Sequence, residues 1–362
     1  MTRTRRITAV LLAATLAGTA ALPAQQGPRL YVTNQDDATV SVIDMAGNKV
    51  LETIDLQKLG FPPTSKPHHA QVEPDGSFWY VTLIGAGKVL KFDRDNHLVG
   101  SVSMEVPGLL TLHPDQDLLV AARSMSAVNP PKRIALIRRS DMTLQDEVDI
   151  FFPRPHPLVT WGGYVYVGSL GVNQIASVRI EDGQLTLVDV DGPAHTFTQF
   201  AMSPDHRWLA VTASTSNRVL VFSLADPANP RLAREIPMEP GPFEPVFTYD
   251  GKYLIVTNLD ANAVTFVDAA TWEPVGVVRD TSFKQPHGIA LSPDGRYVYV
   301  SNRYQAGEIH DHEGHKAMGS GNVVAICIPT RQVEAVMEVG HYAAGIGVPV
   351  PKVKPATPAS CH

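Results

Sequence analysis

Seven short β-rich runs recurring about every 45 residues, a tight turn ahead of most of them, and too much proline for long helices predict an all-β fold. The expected architecture is a seven-bladed β-propeller of four-stranded antiparallel blades. The runs are Tyr31-Val32-Thr33-Asn34, Tyr80-Val81-Thr82, Leu119-Val120-Ala121, Tyr166-Val167-Gly168, Ala210-Val211-Thr212, Ile255-Val256-Thr257 and Tyr299-Val300-Ser301. The turns are Pro74-Asp75-Gly76, Pro114-Asp115, Gly162-Gly163, Pro204-Asp205, Asp250-Gly251 and Pro293-Asp294-Gly295. Proline fixes φ and Gly or Asp tolerates the corner, so each turn reads as a hairpin between the first and second strands of a blade. The 29 prolines in 362 residues exceed the usual share of about 5%.

Blade six shows the whole unit, with strands expected at about 244–248, 252–257, 263–268 and 274–279. The chain opens on a second-type strand at Leu30 to Asn34, so blade one lacks its first strand. Gly340-His341-Tyr342-Ala343-Ala344-Gly345-Ile346 aligns with that missing element, and the C-terminal strand is expected to close the ring. The expected organisation is a signal peptide at 1–24, a propeller at 25–349 and a disordered C-terminal tail at 350–362.

Tyr31-Val32-Thr33-Asn34 followed by Thr39-Val40-Ser41-Val42-Ile43-Asp44, together with Pro286-His287-Gly288-Ile289-Ala290-Leu291-Ser292-Pro293-Asp294-Gly295, resembles the YVTN-type β-propeller repeat. The resemblance is to exported, YncE-like propellers and runs from about 29 to 349. Propellers with similar repeats include surface or periplasmic proteins of unknown role, lactone hydrolases, quinone-linked amine dehydrogenase subunits and haem d1 proteins. The resemblance therefore implies a fold and leaves the function to the site.

Arg3, Arg5 and Arg6 precede an apolar run from Ile7 to Leu22 that ends in small residues, the layout of a secretory signal cleaved after Ala24 or Ala20. The run is too short and alanine-rich for a membrane span, and no other segment of the mature chain is long enough for one. Localisation is expected to be periplasmic or secreted. Removing three arginines and no acids moves the net charge from −6 to −9. Without a basic stripe, a nucleic-acid partner is not expected. A monomer that meets a small molecule or a protein at the channel rim is.

Strands in a blade alternate direction, so the entry into the first strand and the loop after the second share one face. That face gathers His68 and His69, His156 and His287, three Pro-His contexts at strand starts, with Gly108, Thr198, Phe243 and Ala344 at the equivalent register. His195 and Glu244 fall near the register. The same face carries a long insertion in blade seven, Arg303 to Gly321, with His310-Asp311-His312-Glu313-Gly314-His315. Imidazoles and carboxylates at such spacing suit a divalent ion, so His310, His312, His315, His68, His69, His156 and His287 are the candidate ligands for Cu or Zn. A His after Pro at a strand start is equally a turn residue bonded to a neighbouring carbonyl. His287 and Glu244 are the candidates for acid-base work if the chain is instead a lactonase-like hydrolase or an oxidoreductase subunit. The repeated Asp75, Asp205, Asp250 and Asp294 lie in hairpin turns on the opposite face and read as structural.

No nucleophile elbow, phosphate loop, haem-attachment motif or zinc helix occurs. Cys327 sits in an apolar strand and Cys361 in a Pro/Ala-rich tail, contexts that argue against a disulfide.

Overall fold

A computed structural model of the chain describes residues 27–361 apart from 125, 127, 304–308, 311–315 and 318, with the backbone alone at 309, 310, 316 and 317. Seven four-stranded antiparallel sheets follow one another along the chain. Blade six runs Pro242–Phe247, Tyr253–Asn258, Ala263–Asp268 and Glu273–Val278, within two residues of the expected bounds. The closing strand is Ala343–Gly347, which pairs antiparallel with Arg29–Asn34 through Tyr31 to Gly347 and Val32 to Ile346 and completes blade one.

The burial pattern explains the sequence runs. The second strand of a blade, such as Tyr253–Asn258, is buried on both faces after its first residue and reads as a continuous β-branched stretch. Outermost strands alternate, as in Gln332–Glu338, because one face meets solvent. The core is divided into seven apolar clusters, each filling the wedge between two neighbouring blades. The seam between blades seven and one is packed like the others, with Ala343 and Ile346 of the closing strand against Tyr299, Val323 and Met337. Tyr31 stacks on Trp79 at 4.5 Å across the next wedge, and the Tyr299 hydroxyl crosses the seam to Asn48 Oδ1 at 2.7 Å. The turn aspartates are structural: Asp294 accepts from the Ser292 hydroxyl at 2.6 Å and the Arg296 backbone at 3.1 Å, and Asp250 and Asp205 repeat the pattern.

Two expectations about the C-terminus are corrected. Cys327 and Cys361 form a disulfide, with Cα atoms 5.9 Å apart. The segment expected to be a disordered tail runs back over the hairpin-turn face, where the Tyr297 hydroxyl donates to the Cys361 carbonyl at 3.1 Å. The contrast of contexts misled because a Pro-rich segment leaving the closing strand is already beside blade seven. It needs only to continue along that face to bring Cys361 to the end of the strand that carries Cys327.

Candidate functional site: a histidine-lined channel mouth

Every inner strand is entered through one residue with a left-handed backbone: Lys66, Val106, Arg154, Thr196, Gly241, Gln285 and Tyr342. Proline follows in five of them, which fixes the next φ and swings the chain into the channel. Only Gly241 adopts this conformation without steric cost. Two residues beyond each corner stand His68, Gly108, His156, Thr198, Phe243, His287 and Ala344, one per blade, the register expected from the sequence.

Four of these positions, His68, Phe243, His287 and Ala344, are held by the hydroxyl of the YVT-type repeat in the preceding blade, which serves two blades at once. Thr257 accepts the Glu244 N–H of its own blade at 3.0 Å and donates to the His287 carbonyl of the next, also at 3.0 Å. Thr33 does the same between Gly345 N–H (2.8 Å) and the His68 carbonyl (3.1 Å), Thr212 between Gln199 and Phe243, and Ser301 between Gly288 and Ala344. Gly345 is required at its place, because a Cβ there would strike the His68 carbonyl.

Three of the histidines meet. The His68 imidazole lies 5.9 Å from that of His156 and 6.4 Å from that of His287, edge to face in both cases. The residues on either side of His68 in the register are Gly108 and Ala344, and their small size lets side chains two blades apart come together. On the other arc Phe243 packs on His287 at 4.3 Å, and the Arg303 guanidinium lies over the Phe243 and Tyr342 rings at 5.3 and 4.6 Å.

Their hydrogen bonding is unequal. His156 Nδ1 donates to the Thr198 carbonyl at 2.8 Å, an assignment that leaves a lone pair on Nε2. His68 and His287 are 5% and 4% exposed, and neither nitrogen of either ring has a hydrogen-bond partner. The Ala344 carbonyl, which accepts from the Ser301 hydroxyl at 2.5 Å, also faces the His287 ring and favours its charged form, an effect smaller than that of burial. Burial first, and then neighbouring imidazoles and the Arg303 charge, hold His68 and His287 well below the usual histidine range. Burial also lowers His156 to about 4, against the bond to Thr198, which raises it. All three are neutral at physiological pH.

The remaining candidates divide. His69 points its Nδ1 at the Leu110 N–H of blade three, 3.2 Å away, and burial holds it at about 3; it joins two blades and is outside the trio. His195 is bonded to Ser216 and to the Asp191 carbonyl and is structural. Glu244 is partly buried, accepts from the Gln199 side chain and the Ile289 N–H, and is pushed up to about 8 by burial, so it is largely a neutral acid at pH 7. His312 and His315 lie outside the described residues, as does the side chain of His310. Among the described residues, no three His, Cys, Asp or Glu side chains are drawn together as a metal-binding set.

These shifts fix the pH dependence of stability. Glu244 stabilises the fold as a neutral acid, in full below its ordinary 4.5 and progressively less as the pH climbs to about 8. His69 and His156 act in the opposite sense: they are neutral in the fold, and stability falls as the pH drops from their ordinary 6.5 towards about 3 and about 4 respectively. The melting temperature is expected to peak at about pH 6.5 and to fall on either side. Glu244→Gln should flatten the alkaline side up to pH 8, read by calorimetry across the range.

A seven-bladed β-propeller with a neutral histidine trio at one channel mouth is thus the class that fold and site define. No family model matches the chain. Among solved structures it is similar to a functionally unknown protein from Desulfotomaculum acetoxidans DSM 771, with a TM-score of 0.70 and 14% identity over 90% of this chain and 99% of that one. It is also similar to the dihydro-heme d1 dehydrogenase NirN in complex with DHE, with a TM-score of 0.59 and 15% identity over 90% of this chain and 76% of that one. Both likenesses are of fold.

Proposed function

We propose that the protein is an exported, YVTN/YncE-like propeller acting as a ligand- or partner-binding module, and that its channel mouth takes up a Cu or Zn ion through His68, His156 and His287. One observation carries the reading: four buried imidazole nitrogens on His68 and His287 lack any partner beside the free Nε2 face of His156. Orphaned polar atoms cost about 1–3 kcal/mol each, a cost that an ion or a ligand group between the rings would relieve. The Thr198 carbonyl on His156 Nδ1 resembles the support that metal-bound imidazoles receive. Neutral rings also impose no proton competition on a cation. With M–N distances of about 2.0–2.1 Å, binding would require the three side chains to turn their nitrogens towards a common point from the arrangement seen here. His310, His312 and His315 follow Arg303 on the same strand exit and are the candidates to complete the coordination.

Export is supported by the N-terminal signal pattern and by the Cys327–Cys361 disulfide, a bond that persists in oxidising compartments. No helix among the described residues is long and apolar enough to cross a membrane.

The test is titration of metal-stripped protein with Zn(II) and Cu(II). Near-stoichiometric binding and a melting temperature raised by several degrees are expected, both lost in His68→Ala and His287→Ala. No bound metal and no thermal shift would remove the metal reading. A Soret band in the protein as purified would point instead to a tetrapyrrole occupant. A second reading, a lactonase-like hydrolase or an oxidoreductase subunit, is favoured by the neutral acid Glu244 close to the mouth. Turnover of a lactone panel that is lost on Glu244→Gln and His287→Ala would establish it, and binding without turnover would leave the binding module.

A further inference from the structure

We infer that residues 349–361 are a strap over the face opposite the histidines, and that the Cys327–Cys361 disulfide makes the seam of the propeller redox-sensitive. Beyond the closing strand, Pro349 pairs in parallel with Val72 at the end of the inner strand of blade two. Because blade one is built from both ends of the chain, it has no hairpin turn on this face. The gap is a cleft of about 570 Å³, walled by Pro349 and Pro351 of the strap with Arg29, Arg94, Asp75 and Pro293.

The strap then crosses this face towards blades five to seven. Lys354 comes within range to bias the charge state of His206 in blade five. Pro355 and Ala356 lie over the turn of blade seven, where a Cβ on Gly295 would meet them at 3.5 and 3.7 Å. Thr357 bonds to Asp250 in blade six. Cys361, 5% exposed, ends on blade seven beside Tyr297.

The order of these contacts along the chain matters more than their number. The disulfide spans 34 positions, and the loop it closes contains the closing strand. That strand is tethered to blade seven at both ends, once through the backbone after Glu338 and once through sulfur. A strand anchored at one end frays from the other at little cost, whereas one anchored at both must leave as a loop and gains less chain entropy. The pairing of Ala343–Gly347 with Arg29–Asn34 inside blade one is the joint where the ring is held by hydrogen bonds alone, and the disulfide restrains the closing strand of that joint from its C-terminal side. Reduction by a dithiol breaks the S–S bond, gives two cysteine thiols by uptake of two electrons and two protons, and leaves the dithiol as its own disulfide.

Hydrogen exchange by mass spectrometry on oxidised full-length protein, dithiol-reduced protein and the Cys327→Ala/Cys361→Ala variant tests the inference. Exchange in 343–347 and 29–34 should accelerate at least tenfold without the bond, while the inner strands of blades three to five keep their protection. Tyr249, half-buried under the strap, should become more reactive to iodination. Unchanged exchange at the seam, or equal acceleration in every blade, would overturn the inference. Should the double variant fail to fold, reduced wild-type protein gives the same comparison.

Discussion

A chain ending at residue 339 is expected not to fold cooperatively. The truncation removes the strand Ala343–Gly347, the strap and Cys361, and turns Arg29–Asn34 into an unpaired edge facing the channel. It also strips the seam cluster of Ala343, Ile346 and Val348, exposing Tyr299 and Val32. Three losses coincide: the strand pairing, an apolar wedge at about 25 cal/mol per Å² of area re-exposed, and a disulfide worth about 2–4 kcal/mol. Together they rival the 5–15 kcal/mol that typically separates folded from unfolded domains. Calorimetry should show no cooperative transition, and gel filtration should show aggregate. A monomer melting as the full chain does would mean that closure is dispensable.

The second large effect is at the mouth. His68→Leu should stabilise the protein by about 1–3 kcal/mol while abolishing metal or ligand uptake. In the free protein His68 is buried with both nitrogens unpartnered, so its polarity costs stability that leucine does not incur. Leucine is close enough in volume to fill the space beside Gly108 and Ala344. Urea unfolding of metal-free protein reads the first half and metal titration the second. A destabilised variant would show that the imidazole makes contacts in the empty state, and the site would lose its main support. Gain of stability with loss of binding is the signature of a residue retained for function.

Much of this architecture was legible in the sequence because it rests on local, repeated physics. The run Tyr-Val-Thr-Asn combines a wedge-filling ring, a β-branched strand residue and a hydroxyl, and blade seven repeats all three as Tyr299, Val300 and Ser301. The turn aspartates were readable because their bonds lie within five residues. The register of His68 and His287 followed from counting back from those turns, and that of His156 from its Pro-His context. Their meeting did not, because it depends on Gly108 and Ala344, 236 residues apart in sequence, whose relevance is only that they are small. His69 was misleading for the same reason: its partner, the Leu110 N–H, belongs to the next blade. Glu244 could be placed but its protonation could not, since burial in the assembled ring raises it against hydrogen bonds from Gln199 and the Ile289 N–H of the neighbouring blades, which lower it. The disulfide was missed because nothing local distinguishes a tail that frays from one that doubles back.

The hydroxyl clips run the same way round the ring, each from a second strand to the inner strand of the following blade. At these four junctions neighbouring inner strands are spaced by a single shared oxygen atom, a distance that side-chain substitutions at the mouth do not alter. On that arc of the ring the backbone frame is set independently of what lines the mouth, and change at the site becomes a matter of repainting fixed positions. A ligand of another size can be admitted by exchanging His, Phe, Thr, Ala or Gly among them, without rebuilding the frame.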